Sequence, residues 1–422
     1  MPPCRPCVPR ASQSLPAPLR NAPWLRRLGL SVLFTAALSV LAASTDGVVT
    51  HPVPNPLLRA DGSPIATAAE WSGQQRDALL SRFEREIYGR TPTTAVPMTA
   101  DVREDVVLEG GALRRKQVRL TFRSEEGIAT AELLILAPGR STGPVPIFLG
   151  LNSGGNWTIS QDPGIAAPAG HKRGRHERRW PVDFIVQQGY AVATLCCDDF
   201  FPDKNIESYP QSMQRLFPAD QRGPGADQWG AIATWAWGLS RALDYLASDP
   251  LLDSARVAVI GHSRLGKAAL WAGARDARFA LVIANNSGCG GAALSKRIAG
   301  ETVRDINSRF PHWFCGNFRA YNDREAKLPV DQHQLIALIA PRAIAVGSAS
   351  DDAWADPLGE RMALELAQPV FALFGIPSLD APHPGDRQRL HYHLRPGEHD
   401  ILLPDWQAYV RFADRVYGRI RD

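Results

Sequence analysis

The chain has 422 residues, of which 45% are hydrophobic and 21% charged, and its formal net charge at pH 7 is +4. These values are ordinary for a globular protein of one large or two medium domains, and they exclude a disordered or fibrous chain. Because several arginines lie near the N-terminus, the rest of the chain is close to neutral and we expect no nucleic-acid partner.

The N-terminal segment has the pattern of a secretory leader. Arg26 and Arg27 precede the apolar run "LGLSVLFTAALSVLAAS", which ends in small residues and predicts cleavage near Ala43 to Thr45. A membrane anchor is the alternative, but the run is shorter than the roughly 20 residues that span a bilayer. We therefore expect residues 1–44 to be a signal peptide and residues 45–422 to form one domain. The mature protein should then be secreted or periplasmic, without a membrane partner.

A first helix is predicted at Glu70–Tyr88, and after it the predicted elements alternate between strand and helix. The later strands are continuous apolar runs, which is typical of strands buried on both faces. Helices are predicted at Gln228–Ala247 and Arg264–Arg275. This alternation predicts βαβ units around a mostly parallel sheet. The predicted strands are Gln117–Arg123, Thr130–Ala137, Val145–Leu151, Tyr190–Leu195, Arg256–Gly261, Ala280–Asn285 and Arg342–Ser348.

The cysteines are compatible with export. Two of the six, Cys4 and Cys7, leave with the predicted leader. An even number remains, which permits disulfides in an oxidising compartment. Adjacent cysteines on a strand point to opposite faces, so Cys196 and Cys197 should not pair with each other. We expect a Cys289–Cys315 disulfide.

One dense basic segment interrupts the chain at residues 169–181, "AGHKRGRHERRWP". Glycine and proline flank it, which indicates a loop. It is either a solvated surface loop or part of the rim of an active-site mouth that meets an acidic polymer.

The stretch "VAVIGHSRLGKAAL" has the pattern of a nucleophile elbow. In that motif, G-x-S-x-G, small residues let a strand turn sharply into a helix with the serine hydroxyl exposed. Gly261 and Ser263 fit, but Leu265 occupies the second glycine position and Gly266 comes one residue later. Because the stretch follows a predicted buried strand and begins a predicted helix, we interpret Ser263 as a nucleophile.

An acid and a histidine follow in the order of an α/β-hydrolase triad, which is Ser, acid, His. Asp351, Asp352 and Asp356 lie in the loop after a buried strand, and His399 lies in a loop before the C-terminal helix. We interpret His399 as the general base and an aspartate at 351 or 352 as its partner.

Two cations accompany the predicted nucleophile. Arg264 follows it directly, so its backbone N–H, and in addition its guanidinium, could stabilise an oxyanion. Lys267 lies one helical turn from Ser263. Either Lys267 contributes to an electropositive site that suits a sugar acid ester, or it is a solvated helix lysine.

The motifs "GHSRLGKAALWAGARDARF", "GETVRDINSRFPHWFCGNF", "SASDDAWADPLGE" and "GEHDILLPDW" resemble those of the bacterial glucuronoyl esterases, carbohydrate esterase family 15. The resemblance extends over nearly the whole mature chain. It implies an α/β-hydrolase fold, a three-layer α/β/α sandwich with a mostly parallel central sheet. It also implies hydrolysis of the ester between (4-O-methyl-)glucuronic acid of glucuronoxylan and lignin alcohols.

The resemblance further implies roles for single residues. It makes Ser263 the nucleophile, His399 the base and Arg264 the oxyanion-stabilising residue, and it assigns the sugar hydroxyls to Lys267, Glu301 and Trp354. Fungal members carry a glutamate where Asn286 stands, and the resemblance to the bacterial members instead implies Asp352, two residues before Trp354, as the acid. His262 and Asp400 occupy positions of a fungal disulfide, which should therefore be absent.

The resemblance implies no cofactor and no metal, and we expect a monomer. His391 and His393 would share one face of a strand, but no further ligand spacing accompanies them, so we interpret them as structural. Two other functions remain open. One is another secreted carbohydrate esterase, acting on acetyl xylan or feruloyl esters; the other is a noncatalytic carbohydrate-binding protein on a hydrolase scaffold.

Overall fold

A computed structural model of the protein describes residues 48–382 and 385–419. The predicted leader, residues 1–44, lies outside this range, as does its cleavage site. Within the described ranges, no helix combines the length and the apolar character that crossing a membrane requires.

The centre of the described part of the chain is a nine-stranded sheet with the order β11-β10-β8-β7-β5-β6-β4-β3-β2. The strands from β11 to β6 in that order are parallel, and β4, β3 and β2 continue the sheet antiparallel. β1 and β9 form a separate antiparallel pair. The strands are β1 Val49–Thr50, β2 Met98–Val107, β3 Leu113–Ser124, β4 Gly127–Pro138, β5 Val145–Asn152, β6 Ala191–Cys196, β7 Leu252–His262, β8 Leu281–Asn285, β9 Arg297–Ile298, β10 Ala343–Ala349 and β11 Leu390–Arg395.

Helices cover both faces of this sheet. On β5, Ile147 and Leu149 belong to one hydrophobic core, and Phe148 between them belongs to a second one, as the alternation of side chains along a strand requires. The first core is closed mainly by α5, α6, α8 and α9, and the second by α3 and α10. The helices are α1 Ala68–Glu70, α2 Arg76–Phe83, α3 Val182–Gln187, α4 Cys197–Phe200, α5 Ala231–Leu246, α6 Arg264–Arg275, α7 Val303–Arg309, α8 Gln332–Ala337, α9 Pro357–Ala372 and α10 Leu403–Val416.

The predicted α/β/α sandwich with a mostly parallel sheet is thus confirmed. The predicted helix at Glu70–Tyr88 corresponds to α1 and α2 with two π-helical segments, Trp71–Gln75 and Glu84–Tyr88. Strand β2 was not predicted. Eight of its ten residues are exposed, and the alternation of apolar and polar residues in "MTADV" does not continue through "REDVV", so no buried face marks the segment as a strand.

The prediction of a Cys289–Cys315 disulfide is wrong, because all four cysteines of the described chain are free thiols. Cys315 lies in extended backbone and its Sγ contacts the Arg85 carbonyl at 3.5 Å. The preceding side chain, Phe314, instead contacts the loop around Cys289, where a Cβ on Gly290 would come within 2.4 Å of the ring. Adjacent side chains on extended backbone diverge, so the phenyl ring and not the thiol faces Cys289.

Candidate active site

The turn between β7 and α6 holds Ser263 in a strained conformation. Its φ of 59° and ψ of −129° are rare for a residue with a side chain. The turn is so tight that a Cβ on Gly261 would lie 2.0 Å from the Leu265 carbonyl oxygen. A Cβ on Gly266 would lie 3.0 Å from the Gly261 oxygen and 3.1 Å from the Ser287 Cβ. A side chain is therefore excluded at position 261, and at position 266 it would fit only if its neighbours shifted by a few tenths of an ångström.

His399 lies in the loop between β11 and α10, and its partner is Asp352. The His399 Nδ1 is 2.5 Å from the Asp352 Oδ2. Burial of Asp352 favours its neutral form, but the hydrogen bonds from His399 and Asn286 outweigh burial and lower the pKa of the carboxyl. A carboxylate on Nδ1 directs Nε2 outward as the basic nitrogen.

The two competing acids have other partners. The carboxylate of Asp351 is exposed and accepts a hydrogen bond from the Ser350 hydroxyl. Asp356 is buried and ion-paired with Arg297 at 3.1 Å. Of the three candidates, Asp352 is the one that the structure brings to His399.

Asn286 follows β8 with a positive φ of 45° and donates from its Nδ2 to Asp352 Oδ2 at 2.8 Å. His399 and Asn286 thus contact the same carboxylate oxygen. The sequence indicated only that an asparagine cannot supply the acid; its contact with the acid joins the loops after β8 and β10, and no local pattern reveals it.

Arg264 is held over the site by Asp203, a residue that the sequence analysis did not identify. The Arg264 Nη1 donates to Asp203 Oδ2 at 2.5 Å, and its Cζ lies 5.1 Å from the Trp313 ring centroid. Asp203 Oδ1 accepts from His312 at 2.9 Å and Trp313 at 2.8 Å. Burial raises the pKa of Asp203, but these hydrogen bonds outweigh it and lower the pKa to about 2.

The sequence only weakly indicated the contacts of Asp203 with His312 and Trp313. Asp203 is the third aspartate after strand β6, in "CCDDFFPD", and its two ring donors are adjacent in "FPHWFCG". Asp203 lies in the loop after α4 and the two rings lie in the loop after α7, and nothing in the spacing of these residues shows that they meet.

Lys267 and Glu301 are brought together beneath the elbow, and Trp354 is their neighbour. The Lys267 Nζ lies 3.9 Å from Glu301 Oε2, and the Glu301 backbone N–H donates to the Trp354 carbonyl at 2.9 Å. The Trp354 ring is half exposed, and the Arg309 guanidinium carbon lies 5.3 Å from its centroid.

Lys267 is not a solvated helix lysine, since only 4% of it is exposed. Its Nζ donates to the carbonyls of Ser287 at 2.5 Å and Cys289 at 2.6 Å. Burial lowers the pKa of Lys267, and Glu301 opposes that effect. Lys267 therefore ties the loop after β8 to α6.

A cavity of about 470 Å³ opens in front of Ser263, Arg264 and His399. Its far wall comes from the basic segment 169–181, through Arg175, His176, Arg179 and Trp180. None of Lys267, Glu301 and Trp354 lines it. The further lining residues are Leu151, Asn152, Ser153, Gly154, Cys197, Asp198, Asp203, Ile260, Gly261, His262, Leu265, Ile401 and Trp406.

Other polar groups near the site have structural surroundings. His262 Nδ1 lies 2.7 Å from Asn285 Oδ1, and burial lowers its pKa to about 3. His391 stacks on Phe412 of α10 with 4.9 Å between ring centroids. Within residues 48–382 and 385–419, no group of three or more His, Cys, Asp or Glu residues is arranged to hold a metal ion.

Comparisons with known proteins agree with this architecture. A family profile described as "Glucuronyl esterase, fungi" matches residues 186–375. The carbohydrate esterase MZ0003 of an unknown prokaryotic organism is 44% identical over 391 residues, which cover 87% of this chain and 90% of the relative. The 4-O-methyl-glucuronoyl methylesterase 1 of Phanerochaete chrysosporium is 27% identical, over 89% of this chain and 72% of the relative.

Two solved esterase structures are also similar to this chain in sequence and in fold. A promiscuous CE15 esterase from a marine bacterial metagenome superposes with a TM-score of 0.79 at 42% identity, over 88% of this chain and 98% of that one. The glucuronoyl esterase of Solibacter usitatus gives a TM-score of 0.80 at 39% identity, over 88% and 99%. The protein is therefore a carboxylic ester hydrolase with an α/β-hydrolase fold, and it belongs to carbohydrate esterase family 15, the glucuronoyl esterase family.

Proposed function

We propose that the protein hydrolyses the ester between the (4-O-methyl-)glucuronic acid of glucuronoxylan and lignin alcohols, through a Ser263 acyl-enzyme. The contact between His399 and Asp352 carries this proposal, because it places a carboxylate-oriented imidazole in the wall of the cavity that also contains the strained Ser263. The family supplies the substrate class, since relatives are named 4-O-methyl-glucuronoyl methylesterase and glucuronoyl esterase.

The first half of the reaction forms the acyl-enzyme. His399 Nε2 takes the proton of the Ser263 hydroxyl as its oxygen attacks the ester carbonyl. Asp352 holds the His399 tautomer and stabilises the imidazolium. The tetrahedral intermediate collapses when His399 returns the proton to the leaving alcohol oxygen. In the second half, water attacks the acyl carbon with His399 again as base, and the uronic acid leaves.

Arg264 is the proposed oxyanion group. It is the first residue of α6, where backbone N–H groups have no acceptor within the helix, and its guanidinium has further donors besides the one on Asp203. Because Asp203 and Trp313 fix the side chain before substrate arrives, little reorganisation is needed as negative charge develops.

The uronic acid is assigned to the side of the elbow where Lys267, Glu301 and Trp354 lie. Glu301 can accept hydrogen bonds from sugar hydroxyls, and the half-exposed Trp354 offers an indole ring and its N–H. Lys267 stiffens this region through the two carbonyls that it binds.

The proposal is tested by comparing benzyl glucuronate with p-nitrophenyl acetate as substrates. We expect a clear preference for the glucuronate ester in kcat/KM. The Ser263→Ala variant should lose at least about 10⁴-fold in kcat. A preference for the acetate would indicate another carbohydrate esterase, and glucuronate hydrolysis unaffected by Ser263→Ala would contradict the mechanism.

We also propose that the protein is exported and acts as a monomer. The leader pattern in residues 1–44 supports export, and a mass measurement on the exported chain would locate the cleavage site. A chain that retains residues 1–44 in the membrane fraction would contradict it.

A further inference from the structure

Under the proposed mechanism, the cavity lies on the side of the ester from which the alcohol leaves. His399 must face the leaving oxygen, because it returns the proton to that oxygen, and His399 lines the cavity. The residues assigned to the uronic acid do not line it. The alcohol part of the substrate therefore occupies the space between the elbow and the basic segment 169–181.

Hydrogen bonds hold the backbone of the basic segment 169–181, which forms the wall of this cavity. The backbone N–H groups of Gly174 and His176 donate to the carbonyls of Trp157 at 3.0 Å and Thr158 at 2.7 Å. Trp406 Nε1 donates to the Arg179 carbonyl at 2.9 Å. These bonds fix the backbone of the basic segment against the loop after β5 and against α10.

Most charges of the wall are already neutralised. Arg179 is paired with Asp400 at 2.6 Å, and Arg264 with Asp203 at 2.5 Å. Arg175 differs: no carboxylate of residues 48–382 or 385–419 forms an ion pair with it. It is exposed, and its guanidinium covers Gly154, where a Cβ would come within 1.8 Å of Nη2.

One carboxylate that lines the cavity, that of Asp198, would repel an anionic group that Arg175 attracts. Asp198 is exposed at the start of α4 and has no cation partner in the described ranges. Its Oδ1 already accepts from the Asp203 backbone N–H at 3.0 Å. The cavity is thus lined by a guanidinium without an ion pair in the described part of the chain, by the half-buried Trp180 and by a carboxylate that is partly engaged elsewhere.

We propose that Arg175 makes this pocket selective for alcohols that carry an anionic group, such as an aromatic alcohol bearing a carboxylate. The inference rests on the proposed function and specifies its leaving alcohol. In this proposal an arylmethyl alcohol lies along Trp180, and its carboxylate reaches the guanidinium, which can bind both oxygens.

The test compares three benzyl esters of glucuronic acid that carry a para carboxylate, no charge, or a para aminomethyl group. We expect kcat/KM of the carboxylate ester to exceed that of the neutral one by about three- to fivefold, as for an exposed ion pair. Arg175→Gln should bring this ratio to about one, and Arg175→Lys should retain part of it. Raising the salt concentration should also diminish the ratio.

Arg178→Gln is the matched control, because Arg178 is an exposed arginine of the same segment that does not line the cavity. It should keep the wild-type ratio. A ratio unchanged in Arg175→Gln, or a preference for the aminomethyl ester, would overturn the inference while leaving the proposed function intact. A wild-type enzyme that hydrolyses none of the three esters would overturn the proposed function, and the inference with it.

Discussion

At the residue scale, the site is defined by which acid contacts His399. Asp351 and Asp352 are adjacent in the chain and identical in chemistry, so composition and order could not separate them. The structure separates them by their surroundings: Asp352 is buried with Oδ2 on His399, whereas Asp351 is exposed and bonded to Ser350. The family resemblance, which matched the residue two before Trp354, selected the same aspartate.

Replacing the two aspartates one at a time tests this assignment. Asp352→Asn should lower kcat on benzyl glucuronate by about 10⁴-fold, because an amide can hold His399 in the wrong tautomer and cannot stabilise its cation. Asp351→Asn is the matched control and should change kcat less than about threefold. Small and equal losses would mean that a different acid serves His399.

At the element scale, sequence periodicity predicted the parts that are buried on one or both faces. It located the later strands and predicted α6 with its observed bounds, Arg264–Arg275. It missed β2, whose faces are solvated, and it could not place Asp203 or Asn286. Those two act through contacts between separate loops, Asp203 with Trp313 and Asn286 with Asp352. Local pattern carries no information on such contacts.

The elbow gives an element-scale prediction. Gly261→Ala should destabilise the fold by about 2 kcal/mol or more and abolish esterase activity, since its Cβ would collide with the Leu265 backbone. Gly143→Ala is the control, because a Cβ there meets nothing within 4 Å. Urea unfolding and benzyl glucuronate turnover measure both effects. A stable, active Gly261→Ala enzyme would show that the turn can relax.

Helix α9 ties the loop after β8 to β10 through a buried carboxyl. Glu360 accepts from the Ser287 hydroxyl at 2.9 Å, from the Ser348 hydroxyl at 2.6 Å, and from the Gly288 backbone N–H at 3.0 Å. Burial raises its pKa from 4.5 to about 7, even though these bonds oppose the rise. Folded Glu360 thus keeps its proton at pH values where the unfolded chain has lost it.

The sign of the resulting pH dependence follows from linkage. The contribution of Glu360 to stability is complete below about pH 4.5 and is lost as the pH rises to about 7, by up to about 1.4 kcal/mol per pH unit. Glu360→Gln should remove this component, so the difference in unfolding free energy between variant and wild type should change between pH 5 and 7. Glu365→Gln, on the same helix but half-buried in an ion pair with Arg361, is the matched control for the substitution itself. Equal slopes for all three proteins would contradict the pKa assignment.

At the scale of the whole molecule, residues 48–382 and 385–419 are held together by hydrophobic cores and not by disulfides. All four cysteines of the described chain are free, and three of them are buried. The sequence offered an even number of cysteines in an exported chain, which was compatible with a disulfide. Only the relative placement of Phe314 and Cys315 shows why none forms between Cys289 and Cys315.

Thiol counting tests this description and the leader together. The exported protein should titrate four thiols in denaturant, most of them slow to react in the native state, and a reductant should leave its Tm unchanged within about 1 °C. Six thiols would mean that Cys4 and Cys7 are retained with an uncleaved leader. Two thiols, with a Tm that falls on reduction, would mean that a disulfide exists.

The contact between Asn286 and Asp352 joins two positions that are far apart in the chain. The loops after β8 and β10 end neighbouring strands, and both reach the place beside His399 where one carboxylate lies. A carboxylate at position 286 would therefore lie within reach of the same imidazole. The fold offers two alternative strands for a carboxylate beside His399, and exchanging one for the other requires no displacement of the histidine.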